Sequence, residues 1–453
     1  MAMVKRSFIL LMCLSYFIDS FIHVPVIRDG LTIIVVCTFL MTIAATDLKT
    51  KLMGGILFST GLVIDLFVND KALLTASEGM LQNLPLLVLM TLAPLLSIPL
   101  INSTYMDDIQ TYLKQIVHLP ARLFIGLTAF LTIIAPILSV GSVRVLHDIL
   151  RHNTFDPSFL ARAYFVGFST AMGWSPYFGS VALTLLYLDL SFSEYVLFGL
   201  MLMVLQLVTG NAVFFLFQKK NITIEEKPLR TEKPVNIVPV LLKIVAMLCA
   251  MIGTLVWLES VTNLPMLLLV GLTCVIIPLL WAVLLRQWER FREDFLKFFH
   301  MIEYGVNTEI VLFLSAGLFG AALADSPFST VIRRMLEAMS SISFLLVAVI
   351  IIVFVIMLAF IGVHQIITIP ILAMQISPEM LGTDAVTLAV VFLLAWFLSA
   401  IISPFNAITI FIANAVHRST LTVGLRWNGL YIVGMFLIGM IYVLLLHHLS
   451  LSS

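Results

Sequence analysis

The chain has 453 residues, 61% of them hydrophobic and only 11% charged, with a formal net charge of zero. A mean hydropathy of +1.11 is more than a soluble core requires, and the charge balance gives no reason to expect a nucleic-acid partner. Apolar runs of about 20 residues recur along the whole length, as membrane-spanning helices require.

Lys5 and Arg6 precede the first apolar stretch. No small-residue cleavage site follows them, so the stretch reads as a membrane helix rather than a signal peptide. In chain order, spans are expected at about 7–25, 31–47, 53–69, 80–101, 157–187, 192–217, 237–258, 263–285, 306–325, 385–415 and 428–447. Two further apolar stretches, about 121–150 and 343–377, are interrupted in the middle and read as re-entrant hairpins. The expected class is therefore an all-α polytopic membrane protein with about eleven crossings and two hairpins.

Charge supports this count. With the N-terminus in the cytoplasm, Lys49, Lys51, Arg144, the Lys219–Lys233 cluster and Arg286–Lys297 fall inside, leaving Arg28, Lys71, Arg333 and Arg334 outside. Counting 121–150 as a full crossing would move the Lys219–Lys233 cluster outside. The C-terminus is then expected outside, in a plasma membrane of bacterial type. The polar stretch 218–236 reads as a cytoplasmic linker between an N-terminal repeat, 1–217, and a C-terminal repeat, 237–453. Cys13, Cys37, Cys249 and Cys274 lie singly in apolar runs, with neither metal spacing nor a disulfide framework.

A shift of 228 residues relates the halves. It lays 80–101 on 308–329, 160–187 on 388–415 and 192–217 on 420–445, and amphipathic stretches at 104–119 and 328–341 precede the two hairpins. In the expected topology the two halves are inverted. Both copies carry the same fracture: Trp174-Ser175-Pro176-Tyr177 and Ile402-Ser403-Pro404-Phe405. Proline removes a backbone donor and frees the carbonyl one turn earlier. In lipid such a break survives only where protein or water satisfies the loose groups. Paired breaks in inverted repeats point to a secondary transporter with a central site.

Four segments are expected to converge there. They are the first hairpin tip with Ser139, Gly141 and Ser142, and the first break with Ser175, Gly179 and Ser180. The others are the second hairpin with His364, Gln365 and Thr368, and the second break with Ser403, Asn406 and Thr409. Small hydroxyls and glycine admit close approach of a ligand, and half-helix N-termini favour anions. The bland alternative is that serine, threonine and glycine here are packing residues. His364 and Glu309 are the proton-coupling candidates, since an ionisable group at membrane depth is functional by default. Asp65, Glu194, Glu259 and Asp325 lie at helix ends and read as interfacial. No basic residue falls in the four segments, so an anion would rely on helix ends and a co-bound cation. Tyr177 and Phe405 are candidate walls. No Walker-type loop, metal motif or hydrolytic triad appears, so neither an enzyme nor a cofactor is expected beyond H⁺ or Na⁺ as coupling ion.

The arrangement, together with the run Leu312-Phe313-Leu314-Ser315-Ala316-Gly317-Leu318-Phe319, resembles the ion transporter superfamily of divalent anion/sodium symporters, arsenite permeases and NhaD-type antiporters. The Ser-Asn-Thr triplets of the anion symporters are missing from both tips, which read Leu138-Ser139-Val140-Gly141-Ser142 and Val363-His364-Gln365-Ile366. The resemblance implies a homodimer in which hairpin units move against a scaffold. The leading reading is a carrier of a small organic anion coupled to H⁺ or Na⁺. A cation/proton antiporter of the same fold is the first alternative, and a membrane enzyme or an assembly protein the second.

Overall fold

The computed structural model describes residues 2–101, 105–116, 119–150, 155–218, 236–262, 264–340 and 342–451. Every regular element among them is helical, and eleven helices are long and apolar enough to cross a membrane. His118 and most of the expected linker lie outside the described residues.

The first half contains α1 (Ala2–Ile22), α2 (Pro25–Ile43), α3 (Leu48–Phe67), α4 (Leu73–Ser77), α5 (Leu84–Leu92), α6 (Ser97–Ile101), α7 (Tyr105–Ile116), α8 (Pro120–Leu138), α9 (Val140–Leu150), α10 (Pro157–Trp174), α11 (Gly179–Tyr187) and α12 (Phe192–Val213). The second contains α13 (Val238–Thr262), α14 (Met266–Leu284), α15 (Trp288–Gly305), α16 (Asn307–Ala324), α17 (Pro327–Ser340), α18 (Phe344–Ile361), α19 (Gln365–Gln375), α20 (Ala385–Ile402), α21 (Ala407–Ala415) and α22 (Asn428–Ser450). Starts follow local chemistry. Asp47 and Asp384 cap α3 and α20, and Ser191 with Glu194 forms a capping box on α12.

The eleven apolar helices are not the eleven expected spans. Three charges, Lys5, Arg6 and Asp19, keep α1 out of the set, and α10, which carries Arg162 and several small polar residues, is too weakly apolar to join it. In their place stand α8 and α18, the first arms of the two hairpins, each long enough to cross alone. Each arm is followed by a turn and an eleven-residue return helix, α9 or α19. At one turn Ser139 has φ +49°; at the other Gly362 has φ +100°, a conformation glycine adopts without Cβ strain.

A 228-residue shift carries the bounds of α10 onto α20 and those of α11 onto α21. Packing follows the same plan, with α8 against α10 and α18 against α20, while α12 meets α22. The last pair is antiparallel: Gly434 approaches Thr209 and Val213, while the Tyr442 hydroxyl donates to the Phe198 carbonyl at 3.0 Å. Helix α10 runs with α22, through Arg162 on the Trp427 carbonyl and Ser169 on Tyr431. Helix α20 runs against α22, with Gly424 beside Ile401 and Gly439 beside Leu394. Helices α10 and α20 are therefore antiparallel, and their breaks lie toward opposite ends of the bundle.

The pair α3–α16 forms the firmest part of the frame. Small residues let the backbones close, and a Cβ on Gly61 would lie 2.9 Å from the Phe319 Cα. Gly61→Val is expected to cost about 1–3 kcal/mol, seen as a lower denaturation midpoint in detergent. Gly55→Val, whose Cβ meets nothing within 4 Å, leaves the midpoint within about 0.5 kcal/mol of the parent.

At one end of this pair Lys71 bridges Asp65 (3.0 Å) and Asp325 (2.7 Å). Asp65 is 1% exposed. At the other end, Lys5 donates to the Glu303 carbonyl and to Asn307, and Arg6 pairs with the Glu303 carboxylate, tying α1 to α15 and α16.

Candidate functional site

The two breaks share one construction. Helix α10 ends at Ser175 and α20 at Ser403, both extended, and a proline follows each. Proline cannot supply the amide that the carbonyls of Met172 and Ala400, four residues back, would otherwise accept. The Ser180 hydroxyl donates to the Met172 carbonyl at 2.6 Å, and the Thr409 hydroxyl donates to the Ala400 carbonyl at 2.8 Å. Ser175 Oγ accepts the Tyr177 amide and Ser403 Oγ the Phe405 amide, both at 3.3 Å. The loose groups are thus satisfied by protein, as a break in lipid demands.

Most of the expected ligands spend hydrogen bonds on their own backbone. Ser142 donates to the Ser139 carbonyl, and Asn406 caps α21 by accepting the Ile408 amide. Ser403 donates across to the Ala359 carbonyl of α18 at 2.7 Å, so the second break is fastened to the second hairpin. His364 caps α19, its Nδ1 accepting the Ile366 amide at 3.2 Å. That bond requires an unprotonated Nδ1. His364→Ala should lower stability by about 0.5–2 kcal/mol in detergent denaturation, whereas His364→Asn keeps a cap acceptor and is expected to be near parental.

The expected meeting of four segments is realised as interlocking helices. Helix α11 packs on α19 and α20, and α21 touches α9 and α10, so each half-helix lies against the other half of the chain. A cavity of about 500 Å³ opens beside the first break, lined by Pro176, Val181, Ala182 and Leu185 and, at its mouth, by Asp189, Glu194 and Glu259. No residue of the second break lines it. Glu194 and Glu259 are occupied in holding the start of α12: Glu259 accepts the Phe192 and Ser193 amides, and Glu194 completes the capping box.

Helix α19 is two-faced. Ile367, Ile371 and Met374 face α16, where Gly320 makes room for Met374. Gln365, Thr368 and Gln375 lie further round the helix and are buried. Among the described residues, Thr368 Oγ1 and both amide atoms of Gln375 have no hydrogen-bond partner, and neither has Thr184 Oγ1 on α11. Uncompensated burial of this kind is costly and marks a place where a ligand or water would be welcome. Gln375 was missed in the sequence, although it sits seven residues after Thr368 on the same helical face.

Lys49 was also missed as a site residue. It starts α3, yet its ammonium lies 3.5 Å from the centroid of the Phe405 ring and against the Gly362 turn. A second cation, Arg144 of α9, stands 5.6 Å from the Phe411 ring on α21. Positive charge therefore does reach the second break, from elements remote in sequence. Gly141 and Gly179 make no polar side-chain contribution, and a Cβ on Gly141 would meet Leu138 Cβ at 4.0 Å. Glu309 sits half-buried in the first turn of α16, one turn before Leu312, which packs with Val363 and Ile367. It makes no ion pair among the described residues. None of these residues groups three His, Cys, Asp or Glu side chains as a metal site would.

No protein-family model matches the chain, and no curated protein sequence matches it. Among solved structures it is similar to the crystal structure of the YdaH transporter of Alcanivorax borkumensis, which has an unusual topology. The likeness covers 82% of this chain and 87% of that one, with a TM-score of 0.55 and 11% identity. At that identity it establishes a shared fold.

Proposed function

We propose that the chain is a secondary active transporter that moves a small organic anion by alternating access, coupled to H⁺ or Na⁺. The observation that carries this reading is the repeated repair of the two breaks. In each, a hydroxyl beyond the proline satisfies the carbonyl the proline frees, and the two breaks sit in antiparallel helices. A chain gains nothing in stability by breaking two buried helices and then mending them. A carrier gains two hinged polar sites facing opposite ends.

Residues 1–217 and 237–453 are read as inverted repeats joined by 218–236, with the unit assembled as a homodimer in a bacterial plasma membrane, N-terminus in the cytoplasm. The fold likeness to a transporter, and the likeness in sequence pattern to the ion transporter superfamily, agree with this. An anionic solute is favoured by Lys49 and Arg144, which flank α21 without a carboxylate partner among the described residues.

The test is uptake by purified protein in proteoliposomes, across a panel of labelled carboxylates, under imposed H⁺ or Na⁺ gradients. Gradient-dependent uptake above that of protein-free liposomes is expected for at least one compound, and its absence across the panel rejects an anion carrier. For a proton-coupled solute, His364→Asn is expected to flatten the dependence of uptake on pH. A full pH dependence in that variant removes His364 from the coupling.

Glu309, one turn before the Leu312 that packs on the second hairpin, favours one second reading, a cation/proton antiporter. Glu309→Gln would then abolish ion exchange in the same liposomes.

A further inference from the structure

A polar cluster stands apart from the second break, at the end of the α3–α16 pair where Lys71 bridges Asp65 and Asp325. Asp65 lies in the last turn of α3, Asn69 four residues further on, and Asp325 caps the end of α16. Lys49, which reaches the second break, is about 24 Å away along α3.

The Asn69 side chain has a fixed orientation. Its Nδ2 donates to Asp65 Oδ1 at 2.7 Å and to the Ala322 carbonyl at 2.9 Å. Both partners are acceptors, so the nitrogen and oxygen of Asn69 cannot be exchanged. That leaves Asn69 Oδ1 and the second carboxylate oxygen, Asp65 Oδ2. Both atoms are buried, and among the described residues neither has a hydrogen-bond partner. They sit on two groups already joined by the 2.7 Å bond, and Asp65 is 1% exposed. Charge is out of balance in the same place. Two carboxylates face one ammonium, and Asp70, next to Lys71 in the chain, is exposed and negative as well.

We infer that this cluster binds one small monovalent cation, Na⁺ or K⁺, through Asp65 Oδ2 and Asn69 Oδ1. A hard cation takes oxygen ligands, and these two oxygens only accept. One positive charge cancels the excess of the Asp65–Lys71–Asp325 group. A calcium-like ion gathers about six to eight oxygens. It would also have to sit beside the Lys71 ammonium, which lies 3.0 Å from the same carboxylate. A bound water supplies hydrogens to both oxygens but leaves the buried charge uncancelled, which is costly. The site joins α3 to α16, so its occupancy tightens the frame whether or not the chain carries a solute.

The test uses the full-length protein in detergent, with choline chloride exchanged for NaCl or KCl at constant ionic strength. The thermal midpoint is expected to rise by about 2–4 °C in at least one of the two salts, saturating with concentration as a single site does. Asp65→Asn is expected to lose that rise. Lys71→Met leaves two negative charges in excess; it should be destabilised in choline and show a larger rise than the parent. Were Asp65 only a partner of Lys71, the three salts would act alike in all three proteins.

Hydrogen exchange localises the effect and carries the test if Asp65→Asn does not fold. In the parent, Na⁺ or K⁺ should slow amide exchange in 62–71 and 318–326 relative to choline. Equal midpoints in the three salts overturn the inference and leave water in the cluster. So does a rise that survives Asp65→Asn, or protection confined to other segments, since the cation then binds elsewhere. A midpoint that follows pH but not the cation assigns a proton to Asp65 and also overturns it. A response to CaCl2 without any to the monovalent salts does the same, by assigning a divalent site.

Discussion

The double variant Ser180→Ala/Thr409→Val is expected to lose about 2–6 kcal/mol of stability, from about 1–3 kcal/mol at each break. The reason lies in the backbone. Pro176 and Pro404 deprive the Met172 and Ala400 carbonyls of their helical partners, and the two hydroxyls replace them at 2.6 and 2.8 Å. Ser180 and Thr409 are 2% and 0% exposed, so no bulk water stands ready to take over. Thr409→Val keeps shape and removes only the donor. Denaturation midpoints in detergent would show the loss in each single variant, with Ser180→Thr and Thr409→Ser close to the parent. Were these hydroxyls ligands of the solute instead, the variants would raise KM for uptake and leave the midpoint where it was. Unmoved midpoints would mean that the hydroxyls are not what closes the breaks.

Lys71→Met is expected to destabilise the protein by about 1–3 kcal/mol, because it strands the buried Asp65 carboxylate while Lys71 itself is partly exposed. Lys71 reaches Asp65 at 3.0 Å and Asp325 at 2.7 Å, and the two carboxylates differ in what they lose. Asp325 is largely exposed and returns to solvent, whereas Asp65 stays buried with only the Asn69 amide, at 2.7 Å, on one of its oxygens. Asn69 also donates to the Ala322 carbonyl, so the same cluster sets the register of α3 on α16. Adding Asp65→Asn to Lys71→Met removes the stranded charge and should restore most of the loss. If Lys71→Met alone has a parental denaturation midpoint, the cluster does not hold the frame.

What the sequence disclosed here was chemistry local to the chain. A proline in an apolar run announces its own break, so both fractures and their 228-residue spacing were legible. So were the helix bounds on either side, which depend on Ser175 and Ser403 leaving the helix just before Pro176 and Pro404. The same locality leaves two roles open for Ser180 and Thr409. A hydroxyl four or five residues past a proline reads equally well as a ligand or as a repair, and only the distance to the Met172 or Ala400 carbonyl separates the two.

Contacts made across the fold left no such trace. Lys49 stands more than 350 residues from Phe405, in a basic stretch that reads as a solvated loop, and nothing in its neighbours points to an aromatic ring. The eleven long apolar helices differ in membership from the eleven expected spans for another reason. Length and hydropathy cannot tell the first arm of a hairpin from a full crossing, because α8 and α18 satisfy both criteria.

The most direct test of the account is solute counterflow in proteoliposomes. Vesicles are loaded with a high concentration of an unlabelled carboxylate that supports uptake, then diluted into a trace of the labelled compound with no ion gradient imposed. A carrier with one site offered alternately to each side should show a transient accumulation of label above equilibrium. Label that rises only to equilibrium, with no overshoot at any loading, would contradict alternating access through the paired breaks.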